Sequence, residues 1–93
     1  MATELLALGD TAESSDWTTL DTDEAHTLIV FGAVGASVLI EAKYGSGDED
    51  AVVVGGLSGS SAMRRIQGPL TYRVRRENGI SSGCVAETGS APA

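Results

Sequence analysis

Short runs of β-forming residues, separated by turn residues, recur along this chain and constrain its fold more than any other feature. The run Leu70–Arg76 alternates apolar and polar side chains, and so does Ala36–Tyr44. Alternation with a period of two is typical of a strand that buries one face. Such runs follow one another at roughly 8–12-residue spacing, which a β-sandwich or small barrel produces. We therefore predict one all-β domain over residues 1–93, an antiparallel sandwich or barrel of about seven or eight short strands.

Turn chemistry refines this prediction at several places. Asn78-Gly79 is a strong hairpin signal and predicts a two-residue type I′ turn. The polar segment Gly45–Asp50 predicts a hairpin with a longer loop, and Gly55-Gly56 favours a β-bulge nearby. The stretch from Met63 to Ile66 fits a helical turn or an irregular strand, and the pattern does not decide between them. The small polar tail 87–93 is expected to fray.

Charge is divided unevenly along the chain, whose formal net charge is −7. Residues 1–50 hold eleven acids and one base, Lys43, whereas residues 51–93 hold five arginines and two acids. The acidic total argues against a nucleic-acid partner and against an anionic membrane surface. The division itself permits two interpretations: docking between unlike faces of two molecules, or opposite charges that meet within one fold.

Few residues suit catalysis or metal binding. His26 is the single histidine, and Cys84 is the single cysteine, expected to be buried as a small apolar residue. Asp48, Glu49 and Asp50 could supply oxygen ligands to a hard cation, but their spacing matches no calcium loop, so a solvated hairpin tip is the favoured interpretation. We predict no enzyme activity, no cofactor and no metal site.

The arginines form the most concentrated feature of the sequence. Five of the six bases lie within thirteen residues, and Arg73 and Arg75 share the outer face of one predicted strand. Arginine is well suited to pairing with carboxylates across an interface, although charged side chains also protect an edge strand from aggregation. We predict an interface built from these arginines and from an acidic loop that faces a neighbour. Its candidate residues are Arg64, Arg65, Arg73, Arg75, Arg76, Asp21, Asp23 and Glu24.

The sequence also carries expectations about location. A lone cysteine excludes a disulfide within the chain, and this favours a reducing compartment. The acidic start Met-Ala-Thr-Glu has no basic, apolar signal-peptide pattern, and the apolar run Leu28–Phe31 is far too short to span a bilayer. We expect a protein made in the cytoplasm.

The segment Ile66–Arg76, with the sequence IQGPLTYRVRR, resembles a motif of known proteins. It is similar to the I-x-G-P-G-T-Y-R-V-R-R segment near the C-terminus of small head decoration, or cement, proteins of tailed bacteriophages. Leu70 stands where that segment has its second glycine. The pieces Ser15–Thr18, Val38–Lys43 and Val54–Leu57 also resemble this family.

The resemblance implies a β-sandwich on the outside of a phage head, and therefore a virion location. It further implies binding to the major capsid protein and to copies of itself, with stabilisation of the shell. The alternative is a carbohydrate- or receptor-binding module of a tail appendage, for which Trp17 is the candidate contact because sugar sites use exposed aromatic rings.

Overall fold

Two antiparallel sheets contain all the strands in the computed structural model, which describes residues 2–45, 47, 50–59 and 62–90. Within these residues there are nine strands and no helix, so the all-β prediction is confirmed. No helix of this part of the chain is long and apolar enough to cross a membrane. The strands are β1 (Ala2–Gly9), β2 (Glu13–Ser14), β3 (Thr18–Leu20), β4 (Glu24–Gly32), β5 (Val38–Lys43), β6 (Ala51–Leu57), β7 (Met63–Gln67), β8 (Leu70–Arg76) and β9 (Ser82–Ser90).

The strand order differs from the chain order in both sheets. The first sheet has the order β1-β9-β4-β7. The second has the order β2-β8-β5-β6, and β3 also pairs with β8. The chain therefore changes sheet at every connection except β2–β3 and β5–β6. The connections after β1, β4, β6 and β8 gather at one end of the molecule, which we call the loop end.

The core lies between the two sheets and follows the alternation of the sequence. On β8, Tyr72 and Val74 are fully buried, as predicted. On β5, Val38 and Ile40 are buried as predicted, whereas Tyr44 lies beyond the end of the strand and is exposed. The buried apolar cluster also takes side chains from both sheets: Leu6, Leu20, Leu28, Val30, Ala36, Leu57, Cys84 and Ala86.

The hairpin predicted at Asn78-Gly79 is wrong. Strand β8 pairs with β5 in one sheet, while β9 pairs with β1 and β4 in the other. The connection is five residues long, and Gly79 has a positive φ of 127° whereas Asn78 does not have a positive φ. Local turn propensity is overridden because Asn78 and Gly79 bond to the β1–β2 connection instead of closing a ladder.

Other local expectations agree better with the structure. Strands β5 and β6 form the predicted hairpin, closed by the Tyr44 N–H donating to the Asp50 carbonyl at 2.8 Å. The β6 bulge is confirmed, with Val54 as the extra residue. The stretch from Met63 to Ile66, for which the sequence left two structures open, belongs to strand β7. Strand β9 continues as far as Ser90, into the tail that was expected to fray, because it pairs with β4 there. Residues 91–93 lie outside the described residues.

Candidate functional site

The two arginines predicted to face a partner, Arg73 and Arg75, bind within their own sheet. Strand β8 is a central strand, so the edge-protection interpretation does not apply to it. Arg73 Nε donates to Glu41 Oε1 at 2.8 Å, and Arg75 Nε lies 3.4 Å from Glu41 Oε2. Arg75 also pairs with Glu77 at 3.2 Å. Glu41 is a polar residue of the alternating run Ala36–Tyr44, yet it is only 8% exposed, because the two guanidinium groups cover it.

Trp17, the candidate sugar contact, lies against cations of the same protein. The Arg73 Cζ atom is 4.4 Å from the centre of its ring, and the Lys43 Nζ atom is 4.9 Å from it. Both distances are within the range of cation–π attraction. The ring already has partners that a stacking sugar would have to displace, so the geometry does not form an open platform.

Arg76, predicted to belong to the contact face, is buried at 3% exposure. Its guanidinium donates to the carbonyl oxygens of Ala7, Thr11 and Ser82 at 2.6–2.8 Å. It also pairs with Glu13 at 3.3 Å. Arg76 is buried because the inward face of β8, at the loop end, meets the backbone of β1 and β9. Arg76 therefore ties the two sheets together from inside.

The remaining arginines lie on another part of the surface. Arg64 and Arg65 are on β7, at the edge of the first sheet, and both are exposed. A side chain at Gly55 would come within 2.6 Å of the Arg64 guanidinium, so Arg64 lies across the neighbouring edge strand β6. The five arginines thus occupy three environments, and the structure does not assemble them into one strip.

The predicted acidic residues Asp21, Asp23 and Glu24 form the exposed turn between β3 and β4. The Asp21 N–H donates to Glu24 Oε1 at 2.7 Å, and the Glu24 N–H donates to the Asp21 carbonyl at 3.1 Å. This turn packs beside Gly68, at the end of β8 opposite the loop end. It therefore does not join the surface that Arg76 was predicted to form.

The chemically reactive side chains are held between the sheets. His26 Nδ1 is 2.7 Å from the Tyr72 hydroxyl, and burial raises the pKa of Tyr72 to about 12, with the nearby Cys84 adding to the shift. Burial likewise raises the pKa of Cys84 to about 11. A thiol with a raised pKa is a poor nucleophile because the thiolate is the reactive form. Among the described residues no three His, Cys, Asp or Glu side chains are placed to hold a metal; Asp48 and Glu49 lie outside them.

The feature that sequence reasoning missed is an apolar loop at the loop end. In the sequence, the Gly32–Gly35 segment only separates two β-forming runs, yet in the structure it presents Val34, which is 100% exposed. Next to Val34 is an open recess of about 340 Å³. Its lining is apolar side chains and glycine: Val30, Phe31, Gly32, Ala33, Val34, Gly35, Ala36, Gly59 and Ala62. The available signal was Val34 in the glycine-flanked segment Gly32–Gly35, which separates two β-forming runs.

Hydrogen bonds fix the shape of this loop. The Ala33 N–H donates to the Ser81 carbonyl at 3.0 Å, and the Ser37 N–H donates to Ser82 Oγ at 3.1 Å. Gly32 and Gly35 have φ values of 141° and 90°, which favour glycine. A side chain at Gly32 would also meet the Ser81 carbonyl at 2.2 Å. The exposed valine is therefore carried by a rigid support.

Comparison with known proteins corrects the phage resemblance. No known family and no curated protein matches the sequence. The fold is similar to that of Aeromonas hydrophila PliG, a periplasmic lysozyme inhibitor of g-type lysozyme. Its TM-score is 0.62 at 11% identity, over 96% of this chain and 85% of that chain. At this identity the likeness establishes a shared fold.

The predictions that depended on the resemblance are therefore wrong. The matching structure is an inhibitor, so capsid decoration, binding to the major capsid protein or to copies on a capsid, and the tail-appendage alternative lose their support. The expected virion location and cytoplasmic synthesis are corrected in the same way, because the similar protein is periplasmic. The comparisons leave a β-sandwich with the fold of a periplasmic lysozyme inhibitor.

Proposed function

We propose that this protein is a non-catalytic binding domain that inhibits a partner protein by covering part of its surface. The loop end would make the contact, and a g-type lysozyme is the first partner to test. The shared fold with PliG suggests this partner, but one fold can serve many functions. The proposal therefore depends on the geometry of the loop end.

The observation that carries the proposal is the fully exposed Val34 on a fixed loop. Because Val34 is fully exposed to water, its side chain contributes no hydrophobic burial energy to the stability of this protein. Moving a valine from full exposure into an apolar site is worth roughly 1.5 kcal/mol or more. Because hydrogen bonds already hold the loop, little conformational entropy is lost when it docks. A preorganised apolar anchor of this kind suits insertion into a partner's cleft.

The surroundings of Val34 extend the apolar contact. Phe31 is 37% exposed and lines the same recess, and Ile80 from the β8–β9 connection is 47% exposed beside Gly35. A contiguous apolar area that is exposed to solvent is typical of an interaction site. The reactive groups His26 and Cys84, by contrast, are directed into the protein, which supports a role without catalysis.

The test measures binding to purified g-type lysozyme by calorimetry, together with its lytic activity on bacterial cell walls. We expect wild-type protein to bind and to lower lysis, and Val34→Asp to weaken binding by at least tenfold, since a carboxylate would have to be desolvated in an apolar site. Val53→Asp is the matched control, because Val53 is exposed on β6, away from the loop end. Absence of binding by the wild type, or equal loss in both variants, contradicts the proposal.

A further inference from the structure

The loop end has an acidic side next to its apolar anchor. The Gly79 N–H donates to the Asp10 carbonyl at 2.9 Å, and the Ala12 N–H donates to Asn78 Oδ1 at 2.6 Å. These bonds hold the β1–β2 and β8–β9 connections together. Ile80 then joins the β8–β9 connection to the β4–β5 loop, since a side chain at Gly35 would lie 3.1 Å from Ile80 Cδ1. Three connections thus form one continuous surface.

Exposed charge on this surface is negative. Asp10 and Glu77 are both exposed, and the Asp10 carboxylate has no hydrogen-bond or ion-pair partner among the residues that the structure describes. Glu77 pairs with Arg75, which is shared with Glu41. Arg76, which precedes Glu77 in the chain, is buried and ion-paired with Glu13, so its positive charge is already compensated. The net charge of the whole chain, −7, adds to the negative potential at this surface.

From this arrangement we infer that the loop end recognises a basic surface on its partner protein. That surface would have an apolar recess of its own, which receives Val34, and a cation beside this recess that lies opposite Asp10 and Glu77. The inference rests on the proposed function and specifies the chemistry of its partner. An uncompensated carboxylate at the rim of an apolar contact favours a partner of opposite charge, because like charges across an interface are strongly unfavourable.

The two parts of the surface have different kinetic roles. Exposed rim charges act over distance during diffusional encounter, so they change the association rate and its dependence on salt. A buried apolar anchor acts after contact, so it changes mainly the dissociation rate. Asp10 and Glu77 are therefore steering residues, and Val34 is the residue that prolongs the complex.

The closing experiment measures association and dissociation rates with purified g-type lysozyme at about 50, 150 and 300 mM salt, across which screening strengthens. For Asp10→Asn/Glu77→Gln we expect an association rate about three- to tenfold lower at the lowest salt, a weaker salt dependence, and a dissociation rate within about twofold of the wild type. For Val34→Ala we expect mainly faster dissociation. The control is Asp21→Asn/Asp23→Asn, which removes the same charge at the opposite end and should leave the association rate near that of the wild type.

The outcomes separate the two proposals. If the wild type does not bind, the proposed function and the inference both fall. If it binds and Val34→Ala weakens binding, but Asp10→Asn/Glu77→Gln leaves the association rate and its salt dependence unchanged, the inference alone is overturned. An equal effect of the control variant also overturns it, because net charge rather than the loop end would then be responsible.

Discussion

At the scale of single residues, Arg76 shows how position in the fold changes the role of a charge. It is one of five clustered arginines, yet it alone lies inside the protein, where it donates to three backbone carbonyls, one each from β1, the β1–β2 connection and β9. Its partner Glu13 is more than half exposed, so the backbone contacts carry most of its effect. Removing a buried donor leaves its acceptors unsatisfied, which costs about 1–3 kcal/mol for each buried group.

We predict that Arg76→Met lowers the free energy of unfolding by about 3 kcal/mol, since the apolar stem is kept while the donors are lost. Urea denaturation followed by the fluorescence of Trp17, the single tryptophan, measures this. Glu13→Gln is the control and should cost less than about 1 kcal/mol, as expected of an exposed ion pair. Equal losses in the two variants would mean that the ion pair, not the backbone bonding, stabilises this region.

At the scale of elements, the packing of β4 on β9 depends on a missing side chain. Phe31 pairs with Gly83 in the ladder, and a side chain at position 83 would meet the Phe31 ring at 2.5–3.0 Å. The far end of the Phe31 ring therefore occupies the space that a side chain at position 83 would need. This contact also sets where Phe31 enters the lining of the recess next to Val34.

We predict that Gly83→Ala destabilises the fold by about 1–3 kcal/mol, because overpacking forces the ring or the strand to move. Combining it with Phe31→Ala should recover part of that loss, since the steric conflict is then absent. A double-mutant cycle of unfolding free energies gives the coupling between the two positions. Strictly additive losses would show that the conflict lies with the strand backbone rather than with the ring.

At the scale of the whole molecule, the apolar cluster between the sheets disfavours the ionised forms of two titratable side chains within it, Tyr72 and Cys84. Tyr72 and Cys84 are both fully buried, and burial raises their pKa values to about 12 and about 11, from ordinary values of 10.0 and 9.0. In the unfolded chain these groups lose their protons at the ordinary values, whereas in the folded protein they stay neutral to higher pH. Between the two values the unfolded chain binds fewer protons, so stability falls as pH rises.

We therefore predict that the free energy of unfolding is unaffected by these groups below about pH 9 and declines from there to about pH 12. Urea titrations at pH 8, 9.5 and 10.5 measure the decline. Cys84→Ala should reduce its first part, between pH 9 and 10, where the thiol is the first of the two groups to ionise in the unfolded chain. An unchanged slope in that variant would contradict the assigned role of Cys84.

The sequence by itself determined the local elements. The bounds of β6 and β8 follow from the apolar runs and the turns beside them, and the inward faces of β5 and β8 follow from alternation, because side chains on a strand alternate between faces. The burial of Cys84 was likewise predictable from its apolar character. These features depend on neighbours within a few residues.

Only the tertiary structure decided which strands pair and which charges reach solvent. Asn78-Gly79 favours a hairpin locally, but β8 and β9 belong to different sheets. Arg73, Arg75 and Arg76 are close in sequence, yet the first two pair with a glutamate from β5 and the backbone of the other sheet encloses the third. The loop that presents Val34 is fixed by Ser81 and Ser82, far along the chain. Such contacts join residues distant in sequence, so local propensity cannot encode them and only the packed sandwich reveals the candidate binding surface.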